Sequence, residues 1–103
     1  MLNLISKLFG PPVDYAALVK AGATIVDVRT RGEYQSGHVK GSVNIPLGSL
    51  TSQYNRIRKD RPVITCCASG MRSGQAKSFL KSQGYTEVHN GGGWMSLERK
   101  LGR

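Results

Sequence analysis

Cysteine, histidine and acidic side chains are scarce in this 103-residue chain, and it has no long apolar run. Two adjacent cysteines, Cys66 and Cys67, are too few for a disulfide framework, and neighbours in sequence rarely bridge because the geometry is strained. No C-x-x-C pair is present and the two histidines are isolated, so we expect no metal ion and no cofactor. No apolar stretch approaches the roughly 20 residues of a membrane-spanning helix, so we expect no membrane role.

The cellular compartment is indicated by the same scarcity of cysteine. The N-terminal MLNLISKLFG has no cleavage-site pattern behind it, which argues against a signal peptide. Reduced cysteines then favour a cytoplasmic protein. We interpret residues 1–12 as a short arm and residues 13–103 as one domain, which is long enough to bury a modest core.

The acidic deficit leaves a strongly basic chain. Fifteen lysine and arginine residues against six acidic residues give a net charge of +9, which raises the local concentration of anions. The basic residues are scattered, and the densest cluster, RIRKDR at 56–61, is interrupted by Asp60. No zinc-finger spacing or aromatic-rich RNA-binding motif accompanies it. We therefore expect a small anionic substrate or an acidic partner and no nucleic acid.

Short β-branched runs alternate with helical patterns along the chain. Strands are predicted at 24–28, 42–46, 62–65 and 86–90, and helices at 14–22, 31–37, 49–59, 73–83 and 94–101. The glycines at 91–93 are interpreted as a flexible turn. This alternation predicts an α/β fold, a mostly parallel sheet with helices on both faces, in which ligands bind at the carboxyl ends of the strands.

The segment T-C-C-A-S-G-M-R-S at 65–73 lies at one of these carboxyl ends. Its small residues allow successive backbone N–H groups to turn inward, and the following helix adds about half a positive charge at its N-terminus. A cysteine at the base of this loop has a lowered pKa, and Arg72 adds a cation at the rim. We assign the nucleophile to Cys67, the first loop residue. Cys66 ends the strand and is interpreted as a buried residue that faces away.

Three motifs, in this order, resemble those of the rhodanese homology domain. D-V-R-T-R-G-E-Y-Q-S-G-H-V-K-G-S-V-N-I-P at 27–46 is similar to the pattern D-V-R-x-x-x-E-[FY]-x-x-G-H-[IV]-x-G-[AS]-x-[NH]-I-P. C-A-S-G-M-R-S at 67–73 matches C-x-x-G-x-R-S, and N-G-G-G-W-M-S-L at 90–97 resembles the closing glycine-tryptophan region. Together they cover nearly the whole chain, which is similar to single-domain bacterial-type rhodaneses.

The resemblance implies a three-layer α/β/α sandwich around a mostly parallel, five-stranded sheet, with the first edge strand reduced here to the vicinity of Val13. It also implies a sulfurtransferase. Cys67 takes a sulfane sulfur from a donor such as thiosulfate, becomes a persulfide, and passes the sulfur to a thiophilic acceptor such as cyanide. Arg72 helps to bind an anionic donor, and the backbone amides that cradle the persulfide are those of Ala68, Ser69, Gly70, Met71, Arg72 and Ser73.

The first motif is expected to support the structure rather than to react. Its supporting residues are Asp27, Arg29, Glu33 and His38. We expect an ion pair between Arg29 and Glu33, and a turn fixed by a side-chain hydrogen bond of His38. Trp94 is interpreted as part of the core or of the pocket wall.

Two alternative functions stay open. A phosphatase or arsenate reductase also uses a C-(x)n-R loop, but Cys67 and Arg72 enclose four residues, whereas the related cell-cycle dual-specificity phosphatases enclose five. The smaller ring suits a sulfur atom better than a tetrahedral phosphate. A sulfur-relay or binding module with a protein acceptor would use the same persulfide. The sequence leaves the natural donor and acceptor undecided, and it is compatible with a monomer or a weak homodimer.

Overall fold

A computed structural model describes residues 12–103, so residues 1–11 of the expected N-terminal arm lie outside the described part of the chain. The strands are β1 Thr24–Asp27, β2 Val43–Asn44, β3 Val63–Cys67 and β4 Val88–Gly93. The helices are α1 Tyr15–Lys20, α2 Arg31–Gln35, α3 Leu47–Gln53, α4 Met71–Ser82 and α5 Trp94–Lys100, with a 3-10 turn over Tyr54–Arg56. Among these residues no helix has the length and apolarity to cross a membrane.

One parallel sheet with strand order β2-β1-β3-β4 forms the centre of the fold. The predicted α/β architecture is therefore confirmed. The resemblance implied a fifth edge strand near Val13, but in the described residues 12–14 the chain has no regular structure and precedes α1 directly. Because β3 is a central strand, its carboxyl end is flanked by the ends of β1 and β4, and the loop after it is enclosed by both neighbours.

Two apolar clusters cover the two faces of the sheet. Side chains alternate along a strand, so Val63 and Cys67 face one cluster and Ile64 and Cys66 face the other. The first cluster is completed by α3 and α4, and the second by α1 and α5. Each fully buried large aliphatic side chain contributes about 1.5–3 kcal/mol relative to its exposed state.

Two element boundaries differ from the prediction at the loop between β3 and α4. β3 continues through Cys67, which was predicted to begin the loop, and α4 begins at Met71 instead of residue 73. Gly70 supplies the backbone turn because its φ of 105° lies in the left-handed region, which side chains disfavour. The loop between strand and helix is consequently only three residues long. Elsewhere α3 begins after Pro46, two residues earlier than predicted.

The prediction of a flexible turn at the glycines 91–93 is wrong, because these residues form the end of β4. A Cβ on Gly91 would lie 2.9 Å from the Ile64 side chain and 2.9 Å from the Thr65 carbonyl oxygen. A Cβ on Gly93 would lie 2.8 Å from the Ala68 carbonyl oxygen. The absence of side chains thus lets β4 lie directly against β3 and the loop that follows it.

Replacing Gly91 by alanine should destabilise the fold by about 2 kcal/mol, because the added methyl group overlaps a backbone carbonyl that cannot move away. Gly48→Ala is the matched control. Gly48 lies in α3 with open space around its Cα, and alanine there should stabilise the helix by about 0.5 kcal/mol. Urea unfolding of both variants measures the difference. Equal midpoints for the two variants would show that the contact between β4 and β3 tolerates a side chain.

Candidate active site

The Cys67 sulfur is surrounded by hydrogen-bond donors from the loop that follows it. Its Sγ accepts hydrogen bonds from the backbone N–H of Gly70 at 3.0 Å and of Ser73 at 3.3 Å. The Ser73 Oγ also lies 3.3 Å from the sulfur. These contacts arise because the left-handed turn at Gly70 folds the chain back over the end of β3. The sulfur therefore takes the place of a side-chain cap at the N-terminus of α4.

These donors control the ionisation of the thiol. Burial raises the pKa of Cys67, but hydrogen bonds from the Ser73 side chain and from the amides of Ser73, Gly70 and Ser69 outweigh it, and the pKa lies below its ordinary value. Burial raises the pKa of Cys66 to about 12, and the nearby Asp27 carboxylate adds to the effect. As the sequence suggested, Cys66 packs into the core on the opposite face. The two neighbouring thiols therefore differ sharply in how readily they form a thiolate.

The first turn of α4 contains further amides near the end of β3. In the described residues the amides of Ala68, Met71 and Arg72 make no hydrogen bond to Sγ. The first hydrogen bond of the helix runs from the N–H of Gly74 to the carbonyl of Gly70. The amides of Met71 and Arg72 consequently have no partner inside the helix. They are available to an anionic atom bound next to the sulfur.

Asn90, which the sequence analysis did not select, braces this loop from β4. Its Nδ2 donates to the Gly70 carbonyl oxygen at 3.0 Å, and its Oδ1 accepts from the Gly92 N–H at 2.9 Å. The Ser73 hydroxyl lies 2.6 Å from this Oδ1 and 3.3 Å from the Cys67 sulfur, and its one proton is donated to the sulfur when Cys67 is a thiolate and to Oδ1 when Cys67 is a thiol. Thr65 adds a hydrogen bond from its hydroxyl to the Ser73 carbonyl at 2.9 Å. A signal was present in the sequence, since Asn90 is a polar residue at the end of the predicted strand 86–90.

The expected ion pair between Arg29 and Glu33 is not formed. Arg29 instead pairs with Asp27, with an Nη2 to Oδ2 distance of 2.8 Å and hydrogen bonds from Nε to both carboxylate oxygens. Both side chains are almost fully buried, and a buried carboxylate requires a charged partner. Arg29 also donates to the carbonyl oxygens of Gly37 and Glu33, so it ties the end of β1 to the turn after α2.

Glu33 is paired across the fold with Arg72. The two side chains make a bidentate contact, with Nη1 to Oε1 at 2.7 Å and Nη2 to Oε2 at 3.0 Å. Glu33 is oriented by a capping box with Thr30 at the start of α2. Its hydrogen bond with Arg72, followed by the one from the Thr30 backbone, lowers the pKa of Glu33 to about 2. This ion pair joins α2 to the first turn of α4.

His38 and Trp94 both pack against residues of the first motif. His38 donates from Nδ1 to the Tyr34 carbonyl oxygen at 2.7 Å, and its ring stacks on the Tyr34 ring. Trp94 packs against the second core cluster, with the Arg29 guanidinium 4.9 Å from its ring centroid. Over residues 12–103, no three His, Cys, Asp or Glu side chains lie together in a way that could hold a metal ion.

Replacing Asn90 by aspartate should raise the pKa of Cys67 by about one unit, because a carboxylate would lie near the sulfur and face the Gly70 carbonyl without a proton to donate. The pH dependence of iodoacetamide alkylation measures this shift in a Cys66→Ala background, where only Cys67 reacts. Thr86→Asp adds the same charge just before β4, at the amino-terminal end of the strands, and should leave the midpoint unchanged. An unchanged midpoint in the Asn90 variant would exclude the bracing role.

Comparison with known proteins agrees with this geometry. The family model of the rhodanese-like domain matches residues 12–100. The uncharacterized protein YqhL of Bacillus subtilis is 43% identical over 68 residues, which are 66% of this chain and 54% of YqhL. The thiosulfate sulfurtransferase GlpE of Pseudomonas fluorescens is 33% identical over 89 residues, which are 86% of this chain and 82% of GlpE. The chain thus spans about half the length of YqhL and most of GlpE.

A solved structure described as a rhodanese with anions from E. coli superposes on this chain with a TM-score of 0.62 and 38% identity. The match covers 73% of this chain and 91% of that structure. The order of strands and helices around the sheet is therefore shared with an experimental structure over most of both chains.

Proposed function

The chain belongs to the rhodanese-like domain family, and from this premise we propose that it is a sulfurtransferase that carries sulfur as a persulfide on Cys67. The observation that supports this most strongly is the pair of backbone N–H groups, from Gly70 and Ser73, that face the Cys67 sulfur. Backbone amides stabilise an anionic sulfur without supplying a proton to it. They therefore favour a nucleophilic thiolate over a neutral thiol.

In the first half of the proposed reaction the Cys67 thiolate attacks the sulfane sulfur of a donor such as thiosulfate. A sulfur–sulfur bond forms with Cys67, the sulfur–sulfur bond of thiosulfate breaks, and sulfite leaves with the electron pair. No proton is transferred, so no general base is required. This agrees with a site where the pKa of the thiol is lowered by amides and a serine and not by a histidine.

The product of this step is a persulfide anion whose terminal sulfur lies beyond Sγ. We assign the stabilisation of that sulfur to the amides of Met71 and Arg72, which have no partner within the helix, together with those of Ala68 and Ser69. The dipole of the twelve-residue α4 adds to the same field. Arg72 would contact the anionic part of the donor.

In the second half the carbon of cyanide, or another thiophilic acceptor, attacks the terminal sulfur. A carbon–sulfur bond forms, the sulfur–sulfur bond to Cys67 breaks, and thiocyanate leaves while the thiolate is restored. Splitting the transfer in this way replaces one difficult step by two easier ones. The same chemistry requires no metal ion.

A protein acceptor is the second candidate, and two exposed apolar side chains favour it. Met71 in the first turn of α4 is 75% exposed, and Met95 in the first turn of α5 is 58% exposed. Both follow the carboxyl ends of the adjacent strands β3 and β4, and therefore lie at the same end of the sheet as Cys67. Binding of a small anion would not bury these apolar side chains, whereas a protein partner would remove them from water.

Cys67→Ala should abolish the formation of thiocyanate from thiosulfate and cyanide, because the sulfur carrier is lost. Cys66→Ala is the matched control and should keep most of the activity, since Cys66 lies in the core on the other face. Intact-mass measurement after incubation with thiosulfate should show one added sulfur atom in the control and none in the Cys67 variant. Thiocyanate formation that survives in the Cys67 variant, or release of phosphate from aryl phosphates by the native protein, would contradict the proposal.

A further inference from the structure

The arginine at the mouth of the proposed site is already occupied by a carboxylate. Glu33 and Arg72 form a bidentate ion pair at 2.7 and 3.0 Å, in which both side chains keep about a third of their surface exposed. The sequence predicted that Arg72 would be a free cation at this rim. In the structure the rim instead has an ion pair with no net charge, although the chain as a whole carries a net charge of +9.

The position of Glu33 is determined by its own helix and not by Arg72 alone. The Glu33 Oε1 accepts hydrogen bonds from the backbone N–H of Thr30 at 3.0 Å and from its hydroxyl at 3.1 Å. The Thr30 hydroxyl in turn accepts from the Glu33 N–H, which completes the capping box of α2. The carboxylate is therefore presented to the loop by a rigid element. At neutral pH it is charged, because its pKa is about 2.

The other nearby charges do not restore a positive field. Asp27 and Arg29 form a second, buried pair at the end of β1, which is also neutral overall. Arg31 lies on α2 but lines a cleft towards α3, together with Gln35, Asn44 and Gln53. What remains positive around the Cys67 sulfur is the set of backbone N–H groups and the end of the α4 dipole.

We propose that Glu33 sets the charge preference of the sulfur-donor site, by cancelling the charge of Arg72 so that donors of low charge are favoured over dianions. This inference rests on the proposed sulfurtransferase function. Thiosulfate, a dianion, should bind more weakly beside a neutral ion pair than beside a free arginine. A monoanionic thiosulfonate or persulfide should lose less binding free energy, because its attraction to a cation is smaller. The preferred donor class is accordingly a sulfane sulfur compound with a single negative charge.

A purely structural role for Glu33 predicts the opposite result. If Glu33 only holds Arg72 in position to grip the donor, its removal should weaken the binding of thiosulfate. If it cancels the charge of Arg72, its neutralisation should strengthen that binding. The sign of the change in KM therefore separates the two roles.

Glu33→Gln is the decisive variant, because glutamine is accepted at this position of a capping box and the fold of α2 should be retained. Its KM for thiosulfate should fall roughly fivefold, and its KM for methanethiosulfonate, which has half the charge, roughly twofold. Arg72→Ala exposes the Glu33 carboxylate and should raise both values. Glu87→Gln is the matched control, since it removes the same charge just before β4, at the opposite end of the strands from Cys67, and should change neither. Added salt should reduce all of these differences.

A second measurement works without turnover. The alkylation rate of Cys67 is compared for iodoacetate, an anion, and iodoacetamide, its neutral analogue, in a Cys66→Ala background. The rate with iodoacetate divided by the rate with iodoacetamide is independent of the thiolate fraction and reports the electrostatic potential at Cys67. This ratio should rise in Glu33→Gln, fall in Arg72→Ala and stay constant in Glu87→Gln.

The outcomes separate the two proposals. Absence of thiocyanate formation by the native protein with either donor would remove the proposed function, and the alkylation ratio would still measure the field at Cys67. A higher KM for thiosulfate in Glu33→Gln, equal changes for the two donors, or an unchanged alkylation ratio would overturn the role assigned to Glu33.

Discussion

The hydrogen bonds from the backbone amides of Gly70 and Ser73 to the Cys67 sulfur are the interaction on which the rest of the site depends. They require the chain to reverse within three residues of the strand, and the left-handed backbone at Gly70 makes that possible. They also require the neighbouring strand to come close, which is why Gly93 has no room for a Cβ against the loop. Asn90 then holds the reversed loop at both ends, at Gly70 and at Ser73. Strand, turn and helix thus cooperate to place a few N–H groups around one sulfur atom.

The charge of the whole chain and the charge of the site are different properties. An excess of nine positive charges acts over long distances and attracts anions in general. At the site itself, Arg29 and Arg72 are each held by a carboxylate, from Asp27 and Glu33. The local field near the sulfur comes mainly from backbone dipoles, which are neutral overall and act only at short range. Under the proposed role of Glu33, capture of an anion and selection among anions would be carried out by different parts of the molecule.

Much of the architecture could be predicted because it follows from local patterns. The β-branched runs predicted all four strands, and the position of Cys66 at the end of a strand predicted that it faces the core, away from the loop that Cys67 was expected to begin. The errors concern contacts that are decided only by packing and burial. The glycines at 91–93 were interpreted as a turn because composition alone does not reveal that another backbone lies against them. The ion pair expected between Arg29 and Glu33 relied on their closeness in sequence, whereas burial of the Asp27 carboxylate required Arg29.

Local patterns along the chain predicted the order of the elements and the loop of small residues after β3, and they distinguished Cys67 from Cys66. These are properties of neighbouring residues, which periodicity and backbone preferences decide. Only the tertiary structure decided that Asn90 braces the loop, and that Glu33, 39 residues away in sequence, neutralises Arg72. The reason is physical. A hydrogen bond or an ion pair between distant segments depends on distance and direction after folding, and neither quantity is encoded in the pattern of either segment alone.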